Sequence, residues 1–211
     1  MATLLAQFSA HFPVWNTIRA AGLTSCLLMF VSVAAGISHS FSFFKPKRKK
    51  QLLLVHQSSG WFGLLFGMIH GLVLSFDQSI HFSLSDILIP FTSDYKPIST
   101  GLGTISLYIL FVLIITSDFI KQLGRKTWKA IHFLAFPGYL LALYHGITSG
   151  TDTHQPLILG MYSITGCIVL ILLFLRIQHQ SAPKNQKKAQ EKLKNALYHR
   201  VRFFLSASCL E

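Results

Sequence analysis

The run His56-Gln-Ser-Ser-Gly-Trp-Phe-Gly-Leu-Leu-Phe-Gly-Met-Ile-His70 has a histidine at each end and no formal charge between them. As a helix it separates the two imidazoles by about 21 Å at ~1.5 Å per residue. Gly60, Gly63 and Gly67 lie between them at alternating spacings of four and three, a single stripe without side chains. Ionisable groups inside long apolar helices are rare and usually functional. A neutral imidazole buried there also needs a partner at each ring nitrogen.

A second run repeats the arrangement: His132-Phe-Leu-Ala-Phe-Pro-Gly-Tyr-Leu-Leu-Ala-Leu-Tyr-His145. Its imidazoles are about 20 Å apart as a helix, and Ala135, Gly138 and Ala142 keep the stripe small. A flat macrocycle wedged between two helices needs such missing bulk. Small stripes also serve close helix packing, which does not account for a histidine at both ends of both runs. The two intervals differ by one residue. Fourteen residues return within about 40° of the starting face, whereas thirteen miss by about 140°. Pro137 and Gly138 are expected to re-phase the second run, since proline removes a backbone hydrogen bond and kinks a helix.

Around these runs the chain is apolar. Of its 211 residues 51% are hydrophobic and only 12% charged, about half the charge usual in soluble domains. Five apolar blocks stand near the ~20-residue length that crosses a hydrocarbon core: 18–40, 52–76, 100–120, 130–149 and 156–177. A soluble fold would leave too much of this surface in water. The first block lacks a basic flank ahead of it and is too long for a cleaved leader. The fold class expected is an all-α integral membrane bundle of five transmembrane helices. A short extracytoplasmic segment, 1–17, precedes the transmembrane domain, 18–177, and a basic tail, 178–211, follows it.

The net charge of +12 is one-sided. Seventeen of the 19 Lys and Arg follow the first, third and fifth blocks, leaving Arg19 and Lys96 for the other side. Lys and Arg collect on the cytoplasmic side, so the N-terminus is expected outside and the C-terminus inside the cell membrane. The basicity then marks orientation, not nucleic-acid binding. In the tail, Leu193, Leu197, Val201 and Phe204 recur at helical spacing among lysines, the pattern of an amphipathic helix on membrane lipid. Cys26, Cys167 and Cys209 are scattered and no C-x-x-C-H run occurs, so no covalent haem attachment is expected.

Both histidine runs start from the basic side. His56 and His132 are therefore expected at one depth, near the inner leaflet, and His70 and His145 at another, near the outer. Two bis-histidine sites stacked across the bilayer would leave no open metal position, which suits electron transfer. Arg19 lies at the depth of the outer pair and is the candidate cation for a haem propionate. Lys129, Lys126 and Lys50 lie near the inner pair. Asp118 is expected to pair with Lys121 or Arg125. The outer segment 77–99 has no shape assigned by its sequence.

The intervals His56-x13-His70 and His132-x12-His145, on helices separated by one, resemble the ferric reductase-like transmembrane domain family. That family includes ferric reductases, NADPH oxidases and the haem-binding membrane subunit of a bacterial methionine sulfoxide reductase system. Leu123-Gly-Arg-Lys-Thr-Trp-Lys-Ala-Ile-His132 is similar to the family's entry into its second haem helix, and the resemblance spans roughly 15–178. It implies two b haems, with His56 and His132 as metal ligands of the inner and His70 and His145 of the outer. Arg19 matches an arginine that serves the outer haem. Two departures stand out: five helices where many members have six, and no flavin or nicotinamide domain after the fifth.

The expected activity is that of an oxidoreductase subunit with no catalytic acid, base or nucleophile of its own. Electrons would come from a separate cytoplasmic flavoprotein, which would carry any FAD or FMN, or from a membrane quinol. They would leave to an extracytoplasmic acceptor. The alternative is a transporter that moves metal ions or protons with intramembrane histidines.

Overall fold

The computed structural model describes residues 13–77 and 79–179. The segment 1–12 and most of the basic tail, including the amphipathic pattern and Cys209, lie outside the described residues. The chain forms two compact units, Met1–Leu170 and Ile171–Glu211. The first holds every feature discussed below, and the described residues of the second, 171–179, are helical.

Every regular element among the described residues is helical. The long ones are α1 (Val14–His39) and α2 (Pro46–Leu74). Leu84–Leu88 is the short α3, followed by α4 (Pro97–Asp118) and the single turn α5 (Ile120–Leu123). Next come α6 (Arg125–His132) and α7 (Ala135–Ser149), a 3-10 turn at Thr151–His154, and α8 (Pro156–His179). With α6 and α7 taken together, five spans are long and apolar enough to cross a membrane. They hold 26, 29, 22, 25 and 24 residues, or about 33–44 Å.

These helices exceed the expected blocks because hydropathy detects the apolar part of a helix, not its ends. Pro46 and Pro97 each open a helix at its first position, where the missing N–H costs nothing and φ is preset. The basic run 47–50 thus becomes the first turn of α2 instead of a loop. At the other boundary Gly124, with φ +78°, lets the chain turn between α5 and α6.

Four spans pack as a ring in the order α1, α2, α4 and α7, with α7 returning to α1. Helices α2 and α7, which carry His56, His70 and His145, are therefore diagonal across it. The glycines of the α2 stripe serve its packing. A Cβ on Gly60 would meet Ser32 Oγ at 3.3 Å, and one on Gly63 would meet Met29 at 3.5 Å. Both glycines face α1, so this half of the stripe is a helix contact and not space for a macrocycle. Gly138 is likewise closed by Ile109 of α4. Serines fasten the same contacts: Ser25 Oγ donates to the Gly63 carbonyl and Ser106 Oγ to the Gly138 carbonyl, both at 2.8 Å. Such bonds average ~0.6 kcal/mol in membrane bundles.

The re-phasing expected near Pro137 falls at Phe133–Leu134, where α6 ends and α7 begins. Proline has no N–H for the carbonyl four residues back and its ring crowds that carbonyl. Here that carbonyl belongs to Phe133, and it accepts from the Phe136 N–H at 3.3 Å instead. The Leu134 N–H reaches the Ile131 carbonyl at 2.9 Å, tightening the turn.

The outer segment between α2 and α4 has a definite shape. Ser83 caps α3 in a reciprocal box with Asp86. Thr104 Oγ1 of α4 donates to the Ile87 carbonyl at 3.0 Å, and the Tyr108 hydroxyl donates to the Leu88 carbonyl. On the opposite side Asp118 forms no ion pair with Lys121 or Arg125, in contrast to expectation. The described ion pair is between Arg19 and Asp152.

Candidate functional site

The four histidines of the two runs meet as pairs. His56 faces His132 with ring centroids 5.8 Å apart, and His70 faces His145 at 6.1 Å. The rings of each pair are nearly perpendicular, at 79° and 73°. Imidazoles on opposite sides of one metal ion, with metal–nitrogen bonds of ~2.0–2.1 Å, have centroids about 6 Å apart. At either separation the two imidazoles could hold one metal ion between them. Among the described residues no group of three or more His, Cys, Asp and Glu is arranged to hold a metal ion.

Three of the four rings are anchored to backbone oxygen on a neighbouring helix. His70 Nδ1 lies 2.9 Å from the Ile18 carbonyl and His145 Nδ1 2.9 Å from the Ser99 carbonyl. His56 Nδ1 lies 2.8 Å from the Ser32 carbonyl and 3.0 Å from its hydroxyl, which itself donates to the His56 carbonyl at 2.9 Å. A carbonyl only accepts, so Nδ1 carries the proton in each case. That leaves Nε2 with the lone pair a metal ligand needs. His132 stacks on Trp128 at 4.7 Å and 26° from parallel, and the Trp128 indole N–H donates to Ser117 Oγ at 3.2 Å.

The His70–His145 pair opens into a cavity of about 220 Å³, many times the ~10–15 Å³ that admits one water. Its walls are mostly apolar. The segment between α2 and α4 contributes Ile80, Phe82, Ile87 and Tyr95 to the lining. Arg19 lines the cavity too, together with His70 and His145, but its guanidinium is engaged by the Asp152 carboxylate from the turn after α7. The sequence did not signal this partner, which lies 133 residues away. Lys50, Lys126 and Lys129, the candidates near the inner pair, are exposed.

Three glycines that the stripe argument overlooked adjoin the histidines: Gly22 beside His70, Gly36 beside His56 and Gly103 beside His145. A signal for the first two was present. Gly22 and Gly36 are fourteen residues apart, the same interval as His56 and His70.

A family model described as ferric reductase like transmembrane component matches residues 21–143. That is more than half of the chain. The interval contains His56, His70 and His132, while Arg19 and His145 stand just outside it. Comparison with curated proteins and with solved structures gave no match. On the family match and its five membrane-spanning helices, the chain belongs to the ferric reductase-like transmembrane family and is a multi-pass membrane electron-transfer component.

Proposed function

We propose that this protein is a di-haem b cytochrome that carries electrons across the cytoplasmic membrane. The observation that carries the reading is the pair of histidine pairs, 5.8 and 6.1 Å between centroids, with Nε2 left free to ligate on His56, His70 and His145. His56 and His132 would hold the inner haem, and His70 and His145 the outer. When bound, the two haems supply one-electron centres whose potentials depend on axial ligands and burial. The protein's own residues do the rest. Backbone carbonyls fix three of the ligands, and Trp128 backs the fourth. The outer segment and the apolar cavity walls keep water from the outer pair. Arg19 supplies positive charge where an anionic propionate would lie, with Asp152 moderating it.

Orientation follows from the basic residues. The run 45–50 at the start of α2, and 121–129 around α5 and α6, belong on the cytoplasmic side. That places His56 and His132 at the entry side. The donor is a separate cytoplasmic flavoprotein or a membrane quinol, and the acceptor is extracytoplasmic.

The test is a dithionite-reduced minus oxidised spectrum of purified protein, with haem counted per chain. Two non-covalent, low-spin b haems are expected. One haem would break the path between the two faces. None, in protein made with ample haem, would overturn the cytochrome reading in favour of a metal or proton transporter.

A further inference from the structure

We infer that Gly22, Gly36 and Gly103 are positioning residues, each opening a slot that sets the tautomer and tilt of one histidine. The inference rests on the haem-ligation reading above and extends it to the glycines behind the ligating histidines.

The three anchoring bonds share one construction. Within a helix, the carbonyl of residue i already accepts from the N–H of residue i+4. A second donor from another helix reaches that oxygen by lying where the Cβ of residue i+4 would stand. The carbonyls used are those of Ile18, Ser32 and Ser99. The residues four further on are Gly22, Gly36 and Gly103. A Cβ on Gly22 would lie 2.9 Å from His70 Nδ1, one on Gly36 3.1 Å from His56 Nδ1, and one on Gly103 2.6 Å from His145 Nδ1. In each case the nearest atom is the nitrogen that makes the bond. Gly60 and Gly63, by contrast, are met by Ser32 and Met29.

The register of the bundle repeats the device. Helices α1 and α2 are antiparallel, and their fourteen-residue intervals coincide: Gly22 with His70, Gly36 with His56. On α4 the same interval leads from Gly103 to Ser117, and there the construction changes. Ser117 holds Trp128, and Trp128 stacks on His132.

A metal-bound imidazole that donates its other N–H is fixed in orientation and made a stronger base. An alanine in the slot pushes the ring off its carbonyl, so the ligand becomes a weaker donor to the metal. Weaker donation destabilises the ferric state and raises the potential of the haem that the histidine holds.

The experiment is a redox titration with low-temperature EPR of full-length Gly22→Ala, Gly36→Ala, Gly103→Ala and Gly160→Ala. The two haems are assigned from His70→Ala. Gly160 is the control, because nothing lies within 4 Å of its added Cβ. Gly103→Ala and Gly22→Ala are expected to raise the outer-haem potential and leave the inner one in place. Gly36→Ala should do the reverse, and the shifts should fall in the order Gly103, Gly22, Gly36. Unchanged potentials in folded, two-haem variants overturn the slots, as does a shift that Gly160→Ala shares. If Gly103→Ala does not fold, Gly36→Ala, the least crowded, decides the question at the inner haem. If the wild type binds no haem, the ligation reading falls by itself. The slots are then read from histidine ¹⁵N shifts, with Nδ1 protonated in the wild type and redistribution toward Nε2 in the variants. An unchanged tautomer there overturns them.

Discussion

The indole of Trp128 lies against the imidazole of His132, 4.7 Å between centroids and 26° from parallel. Aromatic contacts of this kind contribute ~0.5–1.5 kcal/mol beyond area burial. Trp128→Ala should therefore weaken retention of the inner haem roughly 2- to 10-fold. Trp128→Phe keeps a stacking face and should lose less, although it gives up the bond to Ser117. Haem titration of the purified variants, read at the inner-haem band, checks both. Equal retention in the alanine variant and the wild type would show that the stack carries no weight.

Arg19 and Asp152 make opposite predictions at the outer site. If their charges act on the outer haem, Arg19→Gln lowers its potential by removing a cation, and Asp152→Asn raises it. The ion pair itself is partly exposed, with 36% of the Arg19 side chain accessible, so each variant should cost under ~1 kcal/mol of stability. A pair that only ties α1 to the turn after α7 would lower stability in both variants and move the potential in neither. Redox titration beside thermal unfolding separates the two cases.

His70→Ala should reduce the haem count from two per chain to one, keeping the inner centre, because His56 pairs with His132 at the end of α6 whereas His70, fourteen residues along α2, pairs with His145 of α7. His132→Ala should keep the outer centre by the same logic. Pyridine haemochrome quantification with size-exclusion chromatography checks this. Loss of all haem from folded protein would mean the two sites are not independent.

The outer segment should loosen in acid. The Ser83 hydroxyl and backbone N–H both bond the Asp86 carboxylate and hold its pKa below the ordinary value. A group with a depressed folded pKa stabilises fully above its unfolded pKa of about 3.9, and that contribution is lost as pH falls through the folded value. At neutral pH, Asp86→Asn should lower amide protection across 84–88 relative to the parent. The difference between parent and variant should vanish once the parent's own carboxylate is protonated. A difference that persists unchanged into strong acid would remove the capping box as its cause.

Several of these features were legible in the chain itself. Five apolar blocks gave five spans, since length and hydropathy depend on composition alone. The basic ends of α2 and the α5–α6 region were visible, although their absorption into helices was not. The thirteen-residue interval from His132 to His145 pointed to a re-phasing, expected at Pro137 and Gly138. The break fell at Phe133–Leu134, because a proline acts on the carbonyl four residues before it. The reading of Gly60 and Gly63 as room for a macrocycle erred for a different reason. A glycine stripe is the same string of letters whether it faces a cofactor or another helix, and here it faces Ser32 and Met29 of α1.

By itself the sequence determined the class of the protein: a membrane helical bundle with two histidines fourteen residues apart in one apolar block and two thirteen apart in another. Those quantities are local, set by hydropathy, rise per residue and charge. Tertiary structure alone decided which atoms support the histidines. The carbonyls of Ile18, Ser32 and Ser99, the slots at Gly22, Gly36 and Gly103, and the Asp152 partner of Arg19 all lie on elements remote in the chain. Their positions depend on how antiparallel helices register against one another. That register follows from summed packing along whole helix faces, which no single stretch of sequence specifies.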